Sequence, residues 1–300
     1  MLRLLKLLPL FLAVLLLVGC GVAPVEEGGI AATTAPVAQF ARAIVDGTGL
    51  TVSQVINDSV SCLHDYSLSV RQMELVEKSR VVLLSGAGLE ETLEDALESA
   101  ALLVDCSKGV ALKDMEGQEH EHEHGHEDHG HDHHHEDDPH IWLDPLRAAQ
   151  MAENICTGLT ELYPEYEAQF RANTDALVLR LQELDAYGQW VLSDLSCREI
   201  ITFHDGFGYL ADAYGLEIAA AIEEEAGSEA SAKTLTELVH LVEHHSLTAV
   251  FTEVNGSPSA ASVISSETGI PSYALDMAMG GSDYFEAMKH NFDTLKEALQ

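Results

Sequence analysis

Four side chains that can bind a metal ion stand at comparable points along this 300-residue chain. His64 follows the end of one predicted strand after a short loop, and His204 and Asp276 come directly after two later strands. His140 lies where an acidic segment gives way to a predicted helix. Ligands of open parallel sheets bind beyond the carboxyl ends of the strands. Because three imidazoles and one carboxylate suit a four-coordinate divalent ion, the sequence predicts a zinc site.

Strand-like and helix-like patterns alternate on both sides of one long predicted helix. This alternation predicts an α/β fold with two lobes that contain parallel sheets. The long helix starts at Pro164 and would be about 45–50 Å long, enough to form a backbone joining the lobes. The predicted organisation is a signal peptide (1–19), a lipid-anchored spacer (20–32), an N-terminal lobe (33–163), a linking helix (164–195) and a C-terminal lobe (196–300).

The composition limits the possible functions. Hydrophobic residues make up 46% of the chain, which is enough to form a sizeable core. Only 15 basic residues stand against 50 acidic ones, for a net charge of −35. This balance excludes a nucleic-acid-binding protein that relies on its own phosphate contacts. It also argues against docking on an anionic membrane through a basic face.

The first twenty residues have the pattern of an export signal. Arg3 and Lys6 precede an apolar run over residues 7–18, which is too short for a comfortable membrane span. The run ends at Gly19 and Cys20, and this end is similar to a bacterial lipobox. We therefore expect cleavage before Cys20, lipid on its sulfur, and a protein tethered at the extracytoplasmic face of the cell membrane or in the periplasm.

Four further cysteines could form two disulfides outside the cytoplasm. They are Cys62, Cys106, Cys156 and Cys197. The sequence leaves their pairing open. Bridges of Cys62 with Cys106 and of Cys156 with Cys197 would keep each link local.

Residues 114–138 interrupt the α/β pattern, because they are almost entirely His, Glu, Asp and Gly from residue 119 onward. Such a segment cannot bury apolar area, so we expect a disordered loop. It could be a solvated acidic linker, or an auxiliary site that collects zinc weakly near the cleft. Its nine histidines are His120, His122, His124, His126, His129, His131, His133, His134 and His135.

Four segments carry a family resemblance that covers roughly residues 35–300. Residues 138–145 read Asp-Pro-His-Ile-Trp-Leu-Asp-Pro, and residues 202–207 read Thr-Phe-His-Asp-Gly-Phe. Residues 85–90 and the pair Leu275–Asp276 match two further motifs of the same family. All four motifs follow the family's order along the chain. The chain resembles the zinc and manganese substrate-binding lipoproteins of bacterial ABC importers, the ZnuA-like group. Around His64 it has the family's aromatic residue, Tyr66, but lacks the usual proline.

The resemblance implies that His64, His140, His204 and Asp276 are the metal ligands. It also implies a helical-backbone metal-receptor fold, and a monomer whose partners are an ABC permease and its ATPase. Manganese members of the family commonly have Glu where His204 stands. Since manganese prefers hard oxygen ligands and imidazole suits zinc, three histidines favour zinc.

Two alternatives remain open from the sequence. One is a manganese-binding component of the same importer class. The other is a zinc hydrolase that uses the three histidines with Asp276 or Glu253 as general base. A catalytic zinc needs an open coordination position, which four protein ligands would fill, and none of the predicted helices carries a His-Glu-x-x-His motif. The sequence therefore favours a binding protein over an enzyme.

Overall fold

The computed structural model describes residues 28–57, 60, 63, 66–113, 137–223 and 230–300. It confirms the predicted α/β class. Two halves with parallel strands are joined by a long helix.

The N-terminal half contains a parallel sheet in the order β2-β1-β3-β4. Helices pack around it because its central strands are apolar on both faces. Its elements are β1 (Ile30–Ala32), α1 (Ala35–Val45), β2 (Val52–Gln54), α2 (Val70–Lys78), β3 (Val81–Leu84), α3 (Glu94–Leu97) and β4 (Leu103–Asp105).

Two predictions need correction in this half. The spacer was expected to extend to residue 32, but Ile30–Ala32 form β1, a central strand that is at most 1% exposed. One isoleucine and two alanines after two glycines show no polar–apolar alternation, so the sequence pattern does not reveal this strand, which is buried on both faces. The pattern of residues 89–99 predicts a single helix, but the structure has a 3-10 turn (Glu91–Leu93) followed by the short α3.

Two helices connect the halves. They are α4 (Pro145–Leu162) and α5 (Glu167–Val191), separated by a 3-10 turn at Pro164–Tyr166. α5 has 25 residues and is therefore about 38 Å long, shorter than the helix predicted over residues 164–195. It packs against α1 and α4. Within the described residues, no helix combines the length and apolar character needed to cross a membrane.

The C-terminal half has two parallel strand pairs, β5 with β6 and β7 with β8, and β5 lies beside β7. The pairs are two separate two-stranded sheets that lie side by side, in the spatial order β6-β5-β7-β8. Its elements are β5 (Glu199–His204), α6 (Gly208–Tyr214), β6 (Glu217–Glu223), α7 (Ala232–His245), β7 (Val250–Glu253), α8 (Ser259–Thr268), β8 (Ser272–Leu275) and α9 (Tyr284–Leu299).

One apolar core extends through both halves. Trp142 and Phe170 belong to it together with Phe207 and Phe292 from the C-terminal half, and each of these rings is at most 1% exposed. A smaller core lies under α7 and α8. The shared core opposes any motion that would separate the halves widely, because such a motion would expose apolar surface to water.

Three cysteines in the described residues are free thiols: Cys106, Cys156 and Cys197. The bridge between Cys156 and Cys197 that the sequence allowed is therefore absent. Burial is the main cause that raises the pKa of the Cys106 thiol well above its ordinary value. A buried neutral thiol of this kind behaves as a small apolar side chain.

Candidate metal centre

Three ionisable side chains lie at the carboxyl edge of the C-terminal strands. His204 is the last residue of β5, and Glu253 is the last residue of β7. Asp276 comes directly after β8. β7 and β8 are parallel, and His204 contacts Glu253, so the three strand ends meet at one edge of the C-terminal half.

His140 from the N-terminal half lies beside His204. The centroids of the two imidazole rings are 5.3 Å apart, and the ring planes meet at 67°. The residues are 1% and 3% exposed. Two imidazoles that bind one tetrahedral zinc through nitrogens at about 2.0–2.1 Å have ring centres about 5 Å apart. The separation of His140 and His204 therefore fits a shared ion.

A carboxylate fixes the orientation of His140. The Nδ1–H of His140 donates to Oδ1 of Asp138 at 2.8 Å, and the backbone N–H of His140 donates to the same oxygen at 2.9 Å. Tyr209 donates its hydroxyl to the carbonyl of Asp138 at 2.8 Å. Burial is the main cause that raises the pKa of Tyr209 to about 12, so the hydroxyl keeps its proton for this bond. With Nδ1 engaged, the ring of His140 presents Nε2 on its other side.

A second carboxylate orients His204 in the same way. Oε1 of Glu253 accepts the Nδ1–H of His204, and both side chains are almost fully buried. Nε2 of His204 is buried and has no hydrogen-bond partner among the described residues. A buried nitrogen without a partner costs free energy unless a ligand satisfies it. An ion at this nitrogen would supply the missing contact.

Asp276 is held in place before any ligand arrives. Its backbone N–H and carbonyl exchange hydrogen bonds with the side-chain amide of Asn291, at 2.7 and 2.8 Å. Its carboxylate accepts the N–H of Ala278 at 2.8 Å and the hydroxyl of Ser282 at 2.7 Å. Asp276 and Glu253 line the same small cavity. The carboxylate is therefore preorganised at the edge that also contains His204.

Hydrogen bonds join the two halves next to these side chains. The indole N–H of Trp142, two residues after His140, donates to the carbonyl of Met277 at 2.8 Å. The hydroxyl of Tyr284 donates to the carbonyl of Trp142 at 2.7 Å. The segments that follow His140 and Asp276 are thus bonded directly to each other.

Residues 30–298 match the sequence model of the family described as zinc-uptake complex component A, periplasmic (ZnuA). The chain belongs to the ZnuA family. This agrees with the resemblance found in the sequence.

Individual relatives support the assignment to the ZnuA family. AdcA, a zinc-binding protein of Streptococcus pyogenes serotype M3, is 27% identical over 290 residues, which cover 90% of this chain and 56% of AdcA. The chain thus spans little more than half of AdcA. The high-affinity zinc uptake system protein ZnuA of Bacillus subtilis is 29% identical over 282 residues, covering 90% of this chain and 87% of that protein. A crystal structure of ZnuA superposes with a TM-score of 0.79 at 27% identity, covering 92% of this chain and 100% of that one.

Some of the predicted site residues lie outside the described residues. They are His64, the nine histidines of the acidic loop and Cys20. Within the described part of the chain, no three His, Cys, Asp or Glu side chains converge closely enough to hold a metal ion. The structure brings His140 and His204 together and places Asp276 at the same edge. The third imidazole expected for a ZnuA-family site, His64, would have to come from the undescribed segment.

The turn over residues 85–90, another family motif, has a structural explanation. The buried carboxylate of Glu90 accepts the N–H groups of Ser85 at 2.7 Å and Gly86 at 3.0 Å. Burial is the main cause that raises the pKa of Glu90. Gly86 has a φ of 81°, and a Cβ there would lie 2.0 Å from Oδ1 of Asp105. The motif therefore closes a tight turn after β3.

Sequence reasoning did not identify the partners of the histidines. Asp138 was noted only as part of a motif, although an Asp two residues before a His can reach its ring. Glu253 ends a predicted strand on the ligand side, where the sequence allows three roles: support of a ligand, a strand cap, or the base of a hydrolase. Its contact with His204 spans 49 residues, so only the sheet order reveals it.

Proposed function

We propose that this chain captures Zn²⁺ between its two halves and delivers it to an ABC importer. The zinc is cargo and is bound by His64, His140, His204 and Asp276. The observation that carries the proposal is the pair of buried imidazoles at 5.3 Å, each fixed through Nδ1 by a carboxylate. Membership of the ZnuA family and the zinc-binding names of the relatives support the same cargo.

The donor set favours zinc over manganese. Imidazole nitrogen is a borderline ligand that suits zinc, whereas manganese prefers carboxylate and carbonyl oxygens. His204 stands where an oxygen ligand would favour manganese. Four protein ligands also leave no coordination position for an activated water, so the proposal is a binding protein and not a hydrolase. Glu253 is engaged with His204 and is poorly placed to act as a general base.

The location follows from the N-terminal sequence. We propose that lipid on Cys20 tethers the protein at the extracytoplasmic face of the membrane, where a permease and its ATPase take over the ion. Incorporation of labelled fatty acid into the full chain tests this. The label should be lost in Cys20→Ala, and equal labelling of that variant would contradict lipidation at Cys20.

Calorimetry on the metal-stripped chain without residues 1–20 tests the cargo. One tight site for Zn²⁺ and much weaker binding of Mn²⁺ are expected. Tight manganese with weak zinc would assign the chain to manganese uptake. The absence of any tight site would contradict the proposal.

A further inference from the structure

Glu253 occupies a central place at the edge of the C-terminal strands. Its strand, β7, lies between β5, which ends in His204, and β8, which precedes Asp276. In the parallel register, Glu253 of β7 lies opposite Leu275 of β8. Asp276 is the residue that follows Leu275. The carboxylate therefore sits between two of the proposed zinc ligands without belonging to the predicted ligand set.

Its contact with His204 determines which ring nitrogen faces the cleft. A carboxylate oxygen can only accept, so Nδ1 of His204 must carry the proton in the bond to Oε1 of Glu253. A neutral imidazole has one protonated nitrogen and one nitrogen with a free lone pair. The lone pair is then on Nε2, the buried atom that has no hydrogen-bond partner in the described part of the chain.

The same contact keeps Glu253 away from the ion. The two nitrogens of an imidazole point in widely divergent directions, so a carboxylate bonded at Nδ1 lies behind the ring as seen from a metal at Nε2. The backbone supports this position. The N–H of Gly256 donates to the carbonyl of Glu253 at 3.0 Å, and a Cβ at Gly256 would lie 3.3 Å from Cβ of Glu253. The backbone of Glu253 is therefore fixed at the end of β7, beside His204.

From this geometry we infer that Glu253 is a positioning residue for zinc capture, holding His204 in the Nδ1–H tautomer with Nε2 directed at the ion. The inference rests on the proposed function. Asp138 makes the equivalent contact with His140 at 2.8 Å, so each half of the protein contributes one ligand and the carboxylate that orients it. Loss of such an orienting partner typically lowers metal affinity about 10–100-fold.

Three variants separate this role from others. In Glu253→Leu the side chain keeps much of its volume but can no longer accept a hydrogen bond. In Glu253→Gln an amide oxygen can still accept from Nδ1. Glu217→Gln is the matched control, because it removes an exposed carboxylate at the amino end of β6, away from the strand ends that carry His204 and Glu253.

Two readouts are needed. Long-range ¹H–¹⁵N spectra of the metal-free chain report the tautomer of His204, whose signals are assigned by their loss in His204→Ala. Competition with a chelator measures zinc affinity. We expect the Nδ1–H tautomer in the wild type, Glu253→Gln and Glu217→Gln. In Glu253→Leu we expect a mixture of tautomers and an affinity about 10–100-fold lower.

Several results would overturn the inference. An Nε2–H tautomer in the wild type would do so even if Glu253→Leu failed to fold. Equal zinc affinity of Glu253→Leu and the wild type would also refute it, and a loss as large as that of His204→Ala would make Glu253 a ligand. Failure of the proposed function has a different signature, since the wild type would then have the expected tautomer but no tight zinc site.

Discussion

At the scale of single residues, the candidate site consists of imidazoles whose orientation is set before an ion arrives. His140 and His204 are buried, and each gives its Nδ1–H to a carboxylate. Fixed rings lose little rotational freedom on binding, so more of the metal–ligand free energy remains as affinity. Their low exposure also removes competing water from the bond.

Replacing either histidine by alanine should remove tight binding. His140→Ala and His204→Ala each delete a proposed ligand, and we expect zinc affinity to fall at least about 100-fold, more than for a partner residue. Competition with a chelator gives the value. His240→Ala is the control, because His240 is exposed on α7, and its affinity should equal that of the wild type. A wild-type affinity in both cleft variants would remove these residues from the site.

Gly206 leaves room for the ring of His204. A Cβ at this position would lie 2.4 Å from Nε2 and 2.9 Å from Cε1 of His204, so the ring would have to move. We expect Gly206→Ala to weaken zinc binding about tenfold or more, comparable with the loss of an orienting partner. The thermal midpoint of the metal-free variant checks that the fold is intact. Unchanged affinity in a folded variant would show that Nε2 does not face the ion.

At the scale of elements, the ends of the strands and a hydrogen bond between the two halves position the proposed ligands. The indole of Trp142 joins the segment after His140 to the segment after Asp276. We expect Trp142→Phe to lower the free energy of unfolding by about 1–3 kcal/mol, because the carbonyl of Met277 loses its donor and a void opens.

Denaturant unfolding of the metal-free protein measures this effect. The matched control is Trp190→Phe, since Trp190 is 68% exposed and its replacement should change stability by less than about 0.5 kcal/mol. Equal effects of the two substitutions would show that the Trp142 bond contributes little.

The sequence predicted these elements unevenly. The sequence pattern predicts strands over residues 199–203 and 272–275, and β5 and β8 agree with these bounds within a residue, as does the edge that contains His204 and Asp276. β1 was missed, because one isoleucine and two alanines that are buried on both faces resemble a spacer. The sequence allowed Glu253 to support a ligand but did not pair it with His204, because a contact between β5 and β7 depends on the spatial order of the strands, which periodicity does not encode.

At the scale of the whole molecule, one core joins the two halves and limits their separation. Zinc capture should therefore rely on small movements near the site. The residues that flank the acidic loop are adjacent, since the N–H of Asp138 donates to the carbonyl of Lys113 at 2.8 Å. Removal of the intervening residues requires only a short bridge.

Deletion of residues 117–136 tests the proposed collecting role of the loop. We expect the tight zinc site to keep its affinity, because ordering a polar loop around an ion costs conformational entropy and the cleft does not depend on it. The weaker zinc sites should disappear, and uptake by cells should suffer only when zinc is scarce. Calorimetry and growth in zinc-depleted medium give the two results. Loss of the tight site would place it in the loop.

Anomalous diffraction at the zinc absorption edge tests the central claim most directly. Crystals of the zinc-loaded chain should show one strong peak between the halves, about 2.0–2.1 Å from Nε2 of both His140 and His204. His64 and Asp276 should complete the coordination. A crystal with zinc bound elsewhere, and no peak between these two imidazoles, would contradict the account.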